Sequence, residues 1–67
     1  MKNIIKKLYS IVDILNVKIE KREDTFYDRS DKWQESEKGE EYENKTYEIE
    51  SIKGEVQDII NQAEELL

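Results

Sequence analysis

The apolar residues of this chain recur every third and fourth position in two series, and the series mirror each other about Trp33 to Tyr42, WQESEKGEEY. Ile5, Leu8, Val12, Leu15, Ile19, Phe26 and Trp33 stand before it; Tyr42, Ile49, Ile52, Val56, Ile59, Ala63 and Leu66 stand after it. That spacing is the period of a helix with one buried face. Two such helices joined near the middle of the chain bury those faces by folding back on each other. The reading is therefore all-α: an antiparallel helical hairpin forming a single domain over residues 1–67. It places one helix at about 3–36, a turn at about 36–40 and a second helix at about 40–66.

The first series falls into heptads, with Ile5, Val12, Ile19, Phe26 and Trp33 at one core position. Leu8, Leu15, Arg22 and Arg29 occupy the other, so a polar defect develops there towards the middle of the chain. Ile4, Tyr9, Ile11 and Ile14 widen the stripe near the N-terminus, and a wide stripe faces more than one neighbouring helix. In the second series Tyr42, Ile49, Val56 and Ala63 share one core position and Lys45, Ile52, Ile59 and Leu66 the other. Ile60 and Leu67 widen this stripe at its end. The two wide regions meet at the open end of the hairpin, which points to dimerisation into a four-helix bundle.

Gly39 is the residue to which the turn is assigned, because a glycine after the last helical turn readily takes the left-handed conformation. Glu40, Glu41 and Glu43 would then start the second helix, where carboxylates complement the positive end of the dipole. The competing reading is a break at Asp28 to Ser30 with Ser30 as N-cap. Charges beside the seams suit a fold-back between Glu37 and Gly39, which sets Glu23 against Lys53, Lys18 against Glu55, and Lys32 against Glu41 or Glu48. Gly54 falls on the outer face of the second helix.

A chain of 67 residues buries only about 60% of its unfolded surface and usually needs an additional staple. Cys and His are both absent, which removes disulfides and the commonest metal ligands and leaves self-association. Without them the thiol and imidazole catalytic arrangements are missing as well, and Gly39 and Gly54 stand alone rather than in a phosphate-binding loop. No enzyme, cofactor or metal site is expected.

Charged residues make up 42% of the chain and its net charge is −6. Residues 1–33 hold eight bases and six acids, residues 34–67 three bases and eleven acids, so the halves attract each other. Such acidity disfavours direct contact with nucleic acid, whose affinity comes largely from Lys and Arg neutralising phosphates. Lys6, Lys7 and Asp13 interrupt any signal-peptide core, and no uncharged stretch approaches the roughly 18 residues of a membrane span. A cytoplasmic protein is the expectation.

Arg29 to Glu40, RSDKWQESEKGE, with Tyr42 after it, resembles a stretch of small uncharacterised acidic helical proteins of bacteriophages and mobile elements. The resemblance covers about one fifth of the chain. It implies a phage-borne accessory or inhibitor factor that binds a host protein, and carries no catalytic residues with it.

The functional expectation is thus a non-enzymatic protein that self-associates and binds another protein, possessing no direct nucleic-acid or membrane contact. Its self-association core is assigned to Ile5, Leu8, Val12, Leu15 and Ile19 against Ile49, Ile52, Val56, Ile59 and Leu66. Its candidate partner surface comprises Tyr27, Tyr47, Glu43, Glu50 and Asp58, exposed aromatics among acids being suited to protein contacts. The alternatives are an acidic DNA mimic occupying the groove of a nuclease, restriction enzyme or repressor, a structural coiled-coil assembly factor, and an RNA-binding hairpin dimer using the basic face of the first helix.

Overall fold

A computed structural model describes residues 2–67. Among them every regular element is helical: α1 spans Lys2–Asp28, α2 Asp31–Gln34 and α3 Glu37–Glu65. The two long helices lie antiparallel along a molecule measuring 50 × 15 × 10 Å. The hairpin expected from the apolar periodicity is present, but its connection is built differently.

The first helix stops at Asp28 rather than near residue 36, because the Arg29–Ser36 segment contains two serine caps in succession. Ser30 takes an extended conformation (φ −62°, ψ 153°), and its hydroxyl accepts from the Trp33 amide at 3.2 Å, opening α2. Ser36 repeats the device at φ −76° and ψ 166°, accepting from the Gly39 amide at 3.2 Å while donating to the Trp33 carbonyl. Each hydroxyl satisfies an amide that the first helical turn leaves without a partner. The competing reading was right about Ser30, which caps the short α2; Ser36 caps the long second helix.

Gly39 is therefore not the turn. It sits buried in the first turn of α3, and no residue among those described has a positive φ. Its role is close approach: a Cβ there would lie 2.3 Å from the Trp33 carbonyl oxygen and 2.6 Å from that of Gln34. Only a residue without a side chain lets the end of α2 rest on α3.

Ile5, Val12, Ile19 and Phe26 are the buried residues of α1, one per heptad, as the periodicity requires. Along α3 the buried positions are Gly39, Thr46, Ile60 and Ala63, with Tyr42, Ile49, Lys53 and Val56 half-buried. Tyr42, Ile49, Val56 and Ala63 do line the seam. Their partner position is Gly39, Thr46, Lys53 and Ile60, instead of Lys45, Ile52, Ile59 and Leu66. The helix is turned so that its buried polar residue, Thr46, meets the polar defect of α1.

That meeting is made by Arg22. Its Nε donates to Thr46 Oγ1 at 2.9 Å, its Nη2 donates to the Tyr42 carbonyl at 3.0 Å, and its guanidinium lies 4.0 Å from the Tyr42 ring centre. Thr46 Oγ1 in turn donates to the Tyr42 carbonyl at 3.2 Å, and no buried side-chain polar atom among the described residues lacks a partner. Between Arg22 and the loop the seam is aromatic. Phe26 packs edge-on to Tyr27 at 5.3 Å and against Trp33 at 5.8 Å, and Trp33 meets Tyr42 at 5.8 Å. Arg29 covers the Trp33 ring at 4.3 Å.

The register differs from a fold-back centred near Lys38. Arg22 faces Tyr42 and Thr46, which brings Glu23 beside Glu43 and Tyr47 rather than Lys53. At the open end Ile5, Val12, Ile60 and Ala63 form the core, flanked by Leu8 and Val56.

Candidate functional site: two unlike faces of the hairpin

In an antiparallel helix pair the positions flanking the two seams form two long faces. Tyr9 and Glu23 flank the seam of α1 on one side, and Glu43, Glu50 and Glu64 flank that of α3. Ile4 and Ile11 flank α1 on the other side, opposite Ile52, Ile59 and Leu66. The hydrogen bond from the Tyr9 hydroxyl to Glu64 Oε1, at 2.6 Å, fixes the first set as one face.

This first face is acidic and aromatic. Glu23, Tyr27, Glu43 and Tyr47 line a shallow groove whose floor is Phe26 and Thr46, with Arg22 at its side. Tyr27 and Tyr47 stand largely in solvent, 68% and 55% exposed, while Glu43 is half-buried. Glu50, also half-buried, continues the face about two turns beyond Glu43 along α3. Asp58 is exposed and lines a separate depression with Tyr9, Gln57 and Asn61. Three of the five expected partner-surface residues thus converge on one groove, Glu50 adjoins it, and Asp58 does not belong to it. The Tyr9 pKa is raised, chiefly because Glu64 accepts its proton in a hydrogen bond, then through partial burial and the Glu64 charge.

The opposite face is apolar. Ile4, Ile11 and Ile14 on α1 and Ile52, Ile59 and Leu66 on α3 are all exposed, Leu66 by 73%. Leu8, Leu15, Ile49 and Val56 are half-buried beneath them. Of the residues assigned to self-association, Ile5, Val12 and Ile19 are occupied within the single chain, and Ile52, Ile59 and Leu66 remain outside its core.

Arg22, Glu23, Thr46 and the Tyr9–Glu64 pair were not singled out as site residues. Arg22 alone gave a signal, as a cation at a core position. Finding Thr46 required knowing which of two equally periodic faces α3 turns inward. Among the described residues no group of three or more carboxylates is placed to hold a metal ion, and no helix is long and apolar enough to cross a membrane. No protein-family model, curated protein or solved structure matches this chain.

Proposed function

We propose that this chain is a non-enzymatic cytoplasmic interaction protein that self-associates through its apolar face and binds another protein through its acidic–aromatic face. The observation carrying the proposal is the segregation of the two faces on a hairpin too thin to bury its own apolar residues. Its accessible surface is 5403 Å², against about 4500 Å² for a compact monomer of its mass. The excess, about 900 Å², is close to the roughly 800 Å² that each partner buries in a standard protein interface.

With the phage-borne origin that the Arg29 to Glu40 stretch implies by resemblance, the partner would be a host protein. Tyr27 and Tyr47 supply rigid aromatic area, and Glu23 and Glu43 beside them favour a basic patch on that partner. Capture from a bacterial lysate on immobilised wild-type chain, compared with a Glu43→Lys, Tyr47→Ala variant, tests this. One protein retained by the wild type and lost by the variant, with retention falling as salt rises, is the expected result. Equal retention by both would contradict it.

The carboxylate row Glu23, Glu43 and Glu50 favours a second reading, in which the face mimics DNA. That reading requires the captured protein to bind DNA, and DNA to displace the chain from it.

A further inference from the structure

We infer that the occupant of the apolar face is a second copy of this chain, packed about a two-fold axis parallel to the helices, each α1 lying antiparallel to the partner's α3. The inference rests on the self-association proposed above and adds the face, the orientation and the neighbour of each helix.

The face is apolar only towards the open end of the hairpin. Ile4 and Ile11 of α1 lie across from Leu66, Ile59 and Ile52 of α3, and Lys18 and Lys45 continue the same two rows towards the loop. A two-fold axis parallel to the helices brings apolar end onto apolar end. An axis crossing them would set Ile4 and Ile11 near the partner's Lys18 or Lys45. The first arrangement buries hydrocarbon against hydrocarbon, whereas the second strands it against ammonium groups.

Charges on the outer rims favour the same choice. Lys18, at the loop end of the α1 row, and Lys21, on the rim outside it, border this face on α1, and the rim of α3 carries Glu48 and Glu55. Under the parallel axis the two lysines of one copy lie along the two glutamates of the other, twice per dimer. Stacking α1 on the second α1, as the crossing axis does, would take Lys18 and Lys21 away from the glutamates altogether. A surface with an apolar centre, one basic rim and one acidic rim is complementary to itself, which is what a two-fold contact demands. Both acidic–aromatic faces then point outwards, on opposite sides of the dimer.

Sedimentation equilibrium of the full chain tests this on the wild type and five variants. Ile11→Glu and Ile59→Glu replace side chains exposed in the single hairpin, so their helicity by circular dichroism should persist while dimer affinity falls more than about 100-fold, equivalent to roughly 2.7 kcal/mol. Asn61→Ala, an exposed position of α3 away from the apolar face, should leave the affinity unchanged. Lys18→Glu, Lys21→Glu should weaken the homodimer, and mixing it with Glu48→Lys, Glu55→Lys should restore dimers. A monomeric wild type would overturn the self-association reading itself. A dimeric wild type that survives both isoleucine changes would leave that reading standing and overturn the assigned face. A homodimer indifferent to the lysine reversal would overturn the pairing of α1 with the partner's α3.

Discussion

Two glycines in one helix illustrate how differently the same residue type can be constrained. Gly39 carries the weight of α2 on its bare Cα, so Gly39→Ala forces the carbonyls of Trp33 and Gln34 away and should cost roughly 1–3 kcal/mol by thermal melting. Gly54 meets nothing within 4 Å, and Gly54→Ala should raise stability by about 0.5–1 kcal/mol through helix propensity alone. A loss on Gly54→Ala would mean that another chain approaches α3 closely there. Tyr9 makes a third residue-scale prediction, and its direction follows from the raised pKa. Its ordinary value is 10.0, and the folded state holds the proton more tightly. The stabilisation is therefore complete below pH 10 and is lost as pH rises through the folded value. Alkaline unfolding of Tyr9→Phe should lack that component; an unchanged alkaline limb would show that the Glu64 bond contributes nothing.

At the scale of elements, the seam is specified by a polar pair as much as by its hydrophobic residues. Arg22 and Thr46 occupy positions where leucine and isoleucine would fit, and a polar contact at a core position selects orientation and register at some cost in stability. Thr46→Val keeps the shape but removes the acceptor, leaving the Arg22 guanidinium short of one partner, and should cost about 1–3 kcal/mol. Arg22→Leu combined with Thr46→Val should recover most of that loss while broadening the amide NMR spectrum as the helices slip in register. A sharp spectrum for the double variant would show that the pair does not set the register. The antiparallel helices, the aromatic seam of Phe26, Trp33 and Tyr42, and the buried heptad of Ile5, Val12 and Ile19 were legible in the sequence because periodicity alone decides them. The connection was not, because Gly39 reads as a helix terminator while the caps lie in two short copies of one pattern, Ser30-Asp31-Lys32 and Ser36-Glu37-Lys38. The inward face of α3 was ambiguous for a related reason. Ile52, Ile59 and Leu66 are more apolar than Thr46, Lys53 and Ile60, and hydrophobicity favours the former wherever a second neighbour is ignored. What turns α3 is the need to satisfy Arg22, a constraint from another element.

For the whole molecule, shape is the governing fact. The radius of gyration is 15.4 Å, whereas a compact chain of this length has about 11 Å. The most buried hydrophobic side chain among the described residues, Ile60, is still 2% exposed, and the core at the open end is small: Ile5, Val12, Ile60 and Ala63, with Leu8 and Val56 against it. Dimerisation through the isoleucine face would thicken the molecule to two layers and leave the acidic groove of each copy free for a partner. Stability would then depend on mass action, since a dimer melts at a higher temperature as its concentration rises. The most direct measurement is the thermal midpoint of the wild-type chain followed from about 1 µM to about 500 µM, with the molecular mass measured at each end. A midpoint that climbs steadily as the mass approaches twice 8.1 kDa is the predicted result; a midpoint fixed across that range with the mass at 8.1 kDa would contradict the account.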